Sequence, residues 1–166
     1  MTVLLSTRGL TKRFDGLLAV SDVDFDLTAG DVHALIGPNG AGKTTLVGMI
    51  CGRIAPTAGS VTFDGRDITA LPAHKRIGLG MAYTFQITSV FAGLSVRENV
   101  ALAARGQLGP GDQVDRTVFA ALDKVGLAGL AQDVAGNLSY GHQRLLELAM
   151  GLAQSPRLLI LDEPTQ

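Results

Sequence analysis

Polar and apolar positions alternate most cleanly between Val20 and Leu27. Val23, Phe25 and Leu27 fall on one face, and Asp22, Asp24 and Asp26 on the other. A period of two with one carboxylate face predicts a half-exposed antiparallel strand. Val32 to Ile36 is mostly apolar and predicts a buried strand. It runs into a glycine-rich stretch, after which Thr44 to Cys51 carries the apolar face of a helix. Gly59 to Phe63 predicts another short strand, ended by a turn at Asp64-Gly65. Up to about Gly65, the pattern is one of strands wrapped around a strand–loop–helix unit.

Further on, Pro72 to Ile77 predicts a short helix with proline in its first turn, and Met81 to Phe85 a strand. From Leu94 the period becomes helical. Ser95-Val96-Arg97-Glu98 has the form of a capping box, in which serine and glutamate each satisfy a free N–H of the first turn. A helix over Val96 to Arg105 should follow, broken at Gly106 to Gly111, with a second helix over Asp112 to Val125. Ser139 opens a further helix that reaches Gln154. Leu158-Leu159-Ile160-Leu161 is an unbroken apolar run, the pattern of a parallel strand covered on both faces. The chain stops at Gln166, soon after that strand, so an incomplete domain is expected.

Composition narrows the class. With 46% hydrophobic and 17% charged residues, 21 glycines and no tryptophan, the 166-residue chain is glycine-punctuated and globular, not disordered. A net charge of −1 gives no electrostatic footprint for nucleic acid, and none is expected as a partner. The one basic run, His74-Lys75-Arg76, is expected to be a solvated helix end. Cys51 is the single cysteine, which excludes an internal disulfide; it should pack in the core. No apolar run approaches the roughly 18 residues of a membrane span, and no signal-peptide pattern opens the chain. A cytosolic location is expected.

The glycine-rich stretch carries the chemistry. Gly37-Pro38-Asn39-Gly40-Ala41-Gly42-Lys43-Thr44 spaces glycine, four residues, glycine, lysine and threonine. Small residues let successive N–H groups turn inward around a polyphosphate, while lysine supplies a point charge and threonine a hydroxyl for Mg²⁺. A following helix aims its positive end at the phosphates. The pattern implies a nucleoside-triphosphate site. Asp162 and Glu163, directly after the last apolar strand, fit a Mg²⁺-binding aspartate and a water-positioning glutamate. Taken alone, such a pair is more often a helix-capping loop; a phosphate loop upstream reverses that balance.

Four motifs in order, the phosphate loop, Thr84-Phe85-Gln86, Leu138-Ser139-Tyr140-Gly141-His142-Gln143 and the acidic pair, resemble those of ATP-binding cassette (ABC) ATPases. The family's usual third motif is Leu-Ser-Gly-Gly-Gln; here Tyr140 replaces the first glycine and His142 precedes Gln143. The tyrosine form, the segment 85–91 and Arg97-Glu98-Asn99-Val100 resemble the branched-chain amino acid uptake subfamily, with urea and amide importers close by. The resemblance covers the whole chain.

The resemblance implies an α/β fold: a phosphate-loop NTPase core with a mixed sheet, antiparallel N-terminal strands and an inserted helical subdomain, its C-terminal strands missing. Residues 1–93 would form the nucleotide-binding core, 94–154 the helical subdomain and 155–166 the strand bearing the acidic pair. Phe14 would stack on adenine, although a lone Phe also reads as core. Gly37, Pro38, Asn39, Gly40, Ala41, Gly42, Lys43, Thr44 and Thr45 would hold ATP. Thr44, Gln86 and Asp162 would gather Mg²⁺, and Glu163 would polarise the attacking water. Ser139 and Gly141 would close over the γ-phosphate of a second, head-to-tail cassette. A membrane permease subunit would dock near Gln86 to Asn99, with Val90 and Phe91 either exposed to it or packed beneath the helices. The chain would then sit at the cytoplasmic face of the membrane, driving solute import. A soluble ATPase of the same superfamily and a non-hydrolysing ATP-binding fragment are the alternatives; the long coiled coil usual in the DNA-related members is absent from the sequence.

The family's later Ser-Ala-Leu-Asp-like loop and its γ-phosphate-contacting histidine have no counterpart here. His33, His74 and His142 all precede the acidic pair. The isolated chain is therefore expected to be poorly stable and to turn over little ATP. Loss of one preorganised transition-state contact costs roughly 3–4 kcal/mol.

Overall fold

A computed structural model describes residues 2–84, 89–108 and 111–161. They form two compact units, Met1–Leu79 and Gly80–Gln166.

The first unit is built on a four-stranded antiparallel sheet. Strands β1 (Val3–Phe14), β2 (Leu17–Thr28), β3 (Ala58–Phe63) and β4 (Arg66–Asp67) stand in the order β2-β1-β3-β4. Asp15 and Gly16 join β1 to β2 with φ of 38° and 97°, the positive values that a two-residue hairpin needs. The carboxylate alternation holds: Asp22, Asp24 and Asp26 are exposed, while Leu27 is buried and Val23 and Phe25 half-buried. The turn after β3 falls at Asp64-Gly65, as expected, with φ of 50° and 74°. Leu5, Leu10, Val20, Val61, Phe63 and Ile68 make the core beside this sheet. Helix α1 (Lys43–Ile50) buries Val47, Met49 and Ile50, and Cys51 is buried just beyond it.

Two expectations in this unit are corrected. Val32 to Ile36 forms no strand: the segment has no ladder partner among the described residues and leaves Val32 96% and Ile36 93% exposed. An apolar run becomes a buried strand only where neighbouring strands satisfy its N–H and C=O groups, and no described strand does so. Arg76 is not a solvated helix end either. It lies on α2 (Ala73–Ile77), which Pro72 precedes as N-cap, and is 1% exposed. Its neighbours His74 and Lys75 are exposed.

The second unit pairs β5 (Met81–Thr84) with β6 (Leu158–Leu161) in parallel, from Met81 opposite Leu158 to Thr84 opposite Leu161. Between them run α3 (Val96–Leu108), α4 (Asp112–Lys124), two short 3₁₀ turns and α5 (Tyr140–Ala153). Leu122, Leu127, Leu146 and Ala149 are among the buried side chains that bind the three helices into one core. The capping box forms as expected: Ser95 N–H donates to Glu98 Oε2 at 2.8 Å, and Glu98 N–H to Ser95 Oγ at 3.2 Å. These bonds from Ser95 hold the Glu98 carboxyl below its ordinary pKa.

Helix α3 outruns its expected end at Arg105. Val96, Val100 and Ala104 are buried and Leu108 packs on the same core, so a stripe of period four carries the helix through Gly106. Strand β6 is less covered than its composition suggested: Leu158 is buried, Leu159 and Ile160 are half-buried, and Leu161 is exposed. Phe85, the last residue of the expected β5, lies outside the described residues.

Candidate nucleotide site

The glycine-rich loop occupies residues 37–42 and feeds directly into α1. Ala41 N–H donates to Pro38 O at 3.2 Å, closing a tight turn. Gly40 and Gly42 have φ of 82° and 83°, a region costly for any residue with a Cβ. Gly42 has a second reason to be glycine. A Cβ there would stand 2.3 Å from Ala19 O, because the start of α1 presses against β2 at that point.

Lys43 Nζ curls back over the loop and donates to Gly37 O at 2.6 Å and Pro38 O at 3.0 Å. Among the described residues its ammonium is held over the loop by these carbonyls, with no carboxylate paired to it. Thr44 is exposed and Thr45 half-buried in the first turn of α1, where N–H groups have no intrahelical acceptor. Asn39 is exposed. A cavity of about 350 Å³ opens beside the loop, lined by Ala19, Val20, Ala41, Gly42, Lys43 and Leu46 among others. The cavity sets a cationic side chain and a helix N-terminus against an apolar wall, an arrangement suited to an anion carrying an apolar group.

Phe14 ends β1 opposite Leu17, two residues before the Ala19 that Gly42 touches. It is 42% exposed, which removes the reading as a core residue, and Lys12 Nζ stands 4.9 Å from its ring centroid.

In the second unit, Ser139 caps α5: its Oγ accepts from His142 N–H at 3.3 Å. Gly141 is exposed, with open space where a Cβ would project. Tyr140 stands out at the same helix start, with the Arg144 guanidinium 5.8 Å from its ring. Arg144 pairs with Glu147 at 2.8 Å, and this bond raises the arginine pKa. Glu147, nearly buried, also accepts from Ser89 N–H.

The segment before α3 is thereby fastened from two sides. Asn99, fully buried, accepts from Phe91 N–H at 2.7 Å and donates to Phe91 O at 3.1 Å and Ser95 O at 2.9 Å. The two alternatives for Val90 and Phe91 divide between them: Val90 packs on the helical core, whereas Phe91 is 56% exposed. Sequence reasoning missed Asn99 and Glu147 as the residues that hold this segment. The signal for Asn99 was a polar side chain on the apolar stripe between Val96 and Val100.

Gln86, Asp162 and Glu163 lie outside the described residues. Of the three expected Mg²⁺ ligands, Thr44 alone is described, and it offers a hard hydroxyl oxygen of the kind that ion takes. Among the described residues no three His, Cys, Asp or Glu side chains cluster as metal ligands would.

Comparison with known proteins bears on the same residues. The family model for ABC transporters matches residues 20–166. A high-affinity branched-chain amino acid transport ATP-binding protein, LivG of Salmonella typhimurium, is 37% identical over 97% of this chain and 69% of its own length. A sulfate/thiosulfate import ATP-binding protein, CysA of Mycobacterium tuberculosis, is also 37% identical, over 99% of this chain but 46% of its own length. Among solved structures, a nucleotide-free ATP-binding cassette from an ABC transporter superposes with a TM-score of 0.87 at 27% identity, covering 99% of this chain and 70% of that one. The loop, the capped helix and the order of the motifs thus have one common explanation: the chain belongs to the ABC transporter family and carries its ATP-binding domain.

Proposed function

We propose that this ATPase energises uptake of branched-chain amino acids, or of a similar small polar solute, through membrane permease subunits. The observation that carries the catalytic part is the loop geometry: Lys43 held over a left-handed glycine loop at the N-terminus of α1. The solute reading rests on the tyrosine form of the motif at 138–143 and on the likeness to LivG, whose match spans more of the relative than that to CysA.

In this reading Gly37, Pro38, Asn39, Gly40, Ala41 and Gly42 wrap the triphosphate, the residues other than proline presenting backbone N–H groups, and Thr45 helps hold it from the first turn of α1. Lys43 leaves its carbonyl partners for the β- and γ-oxygens. Thr44, Gln86 and Asp162 would hold Mg²⁺, which would neutralise charge on the bridging phosphates. Glu163 orients the attacking water, Gln86 helps place it, and Phe14 stacks on adenine. Ser139 and Gly141 meet the γ-phosphate of a second cassette, so turnover needs two copies head to tail. The exposed Phe91, near Gln86 to Asn99, meets the permease. Residues 1–93 act as nucleotide-binding core, 94–154 as helical subdomain and 155–166 as the catalytic strand. Among the described residues no helix is long and apolar enough to cross a membrane, in keeping with peripheral attachment to the cytoplasmic face.

The test is uptake of radiolabelled leucine in cells whose own copy of this gene has been deleted. Uptake should return with the natural gene and stay at the deletion level with Lys43→Ala. If leucine uptake is unaffected by the deletion while sulfate or sugar uptake falls, the solute assignment is wrong. If no uptake changes, the transport role itself is wrong.

A further inference from the structure

The Phe14 ring is backed by a fixed cation. Lys12 and Phe14 are two apart on β1 and so share a face, and the Lys12 ammonium sits 4.9 Å from the ring centroid. That ammonium is tethered as well: Nζ donates to Ala55 O at 2.8 Å. The segment that presents Ala55 is itself pinned to β1, since Thr57 N–H donates to Thr11 O at 2.8 Å and Arg13 N–H to Thr57 Oγ1 at 3.0 Å. Three bonds to one strand therefore fix the charge relative to the ring. A cation over one face of an aromatic ring is attracted by the ring's quadrupole and restrains the ring's rotation.

We propose that Lys12 is a positioning residue for nucleobase recognition, holding the Phe14 ring so that its opposite face stacks on the planar base. The proposal rests on the reading that Phe14 stacks on adenine, and it adds a residue that touches neither base nor phosphate. Lys12 acts on the base end of the nucleotide alone, because the ring it holds stands at the hairpin end of β1 while the triphosphate is met by residues 37–45.

The test compares binding of ATP and of inorganic tripolyphosphate to the full chain by calorimetry. Lys12→Met should weaken ATP about two- to fivefold, the range of a partly exposed cation–π contact, and leave tripolyphosphate unchanged. Lys12→Arg keeps the cation and should bind both as the natural chain does. In a Phe14→Ala background, Lys12→Met should have no further effect. The proposal is overturned if Lys12→Met weakens both ligands alike, leaves ATP binding unchanged, or acts equally without Phe14. If Phe14→Ala itself leaves the ratio of the two affinities unaltered, base stacking on Phe14 fails first and the role of Lys12 falls with it.

Discussion

Gly42 shows how much one residue must satisfy at once. Its φ of 83° disfavours any L side chain, and Ala19 O stands where a Cβ would go. Gly42→Ala should therefore cost about 1–2 kcal/mol from the left-handed backbone alone. It should also push the loop off β2, weakening ATP at least tenfold; urea unfolding and calorimetry read the two effects separately. An alanine variant that binds ATP as tightly as the natural chain would show that the loop tolerates displacement from Ala19. The spacing of Gly37, Gly40, Gly42 and Lys43 made this loop legible, because each residue type there answers a local demand. Ala19 and Val20 were not legible as part of the site, since only the fold brings β2 against the loop. Phe14 lay between: its aromatic character was visible, but its exposure was not.

Among the elements, the C-terminal end of α1 depends on a residue that reads as surface. Arg76 Nη1 donates to Met49 O at 2.8 Å and Ile50 O at 2.7 Å, Nε to Leu71 O at 2.8 Å, and Nη2 to Thr69 O at 2.9 Å. One guanidinium thereby caps the phosphate-loop helix and ties it to α2, and its positive charge complements the helix dipole. Burial lowers the arginine pKa, yet an arginine remains protonated wherever the protein folds. Gly52 leaves it room, for a Cβ there would stand 2.6 Å from Nε. Arg76→Met fills the volume but strips four carbonyls of a charged donor, and should destabilise the chain by roughly 2–4 kcal/mol. Arg76→Lys should restore only part of that loss, since one ammonium cannot reproduce the planar fork. Unchanged urea midpoints for both variants would mean that water serves these carbonyls equally well. The acceptors lie 26 and 27 residues away in α1, so a reading of neighbouring residues saw only a polar run. The segment 32–36 failed for the converse reason: its apolar character was legible, but a strand exists only with partners. Ser95 with Glu98 and Ser139 with His142 were legible because each cap is complete within four residues.

At the scale of the whole molecule, the residues that the proposed function assigns to ATP and to its partners fall in two compact units. The phosphate loop and Phe14 belong to the first, and the Ser139 helix with the Phe91 segment to the second. If Ser139 serves the nucleotide of a second cassette, binding of ATP to one chain and its turnover by two should respond differently to the same substitution. Serine to alanine is a poor probe, because Ser139 also caps α5 and its loss would cost about 1 kcal/mol of helix stability. Ser139→Asp is better. Aspartate caps a helix as well as serine does, but it sets a carboxylate where the partner's γ-phosphate must approach. In the single subunit, Ser139→Asp should leave the unfolding temperature unchanged and ATP affinity within about twofold, turnover being read in the assembled transporter. Turnover should fall by about 10²–10³, the loss expected when a preorganised contact to the transferred group is replaced by repulsion. Undiminished turnover would remove Ser139 from the reaction, and a parallel collapse of single-subunit ATP affinity would place it at its own chain's nucleotide instead of a partner's.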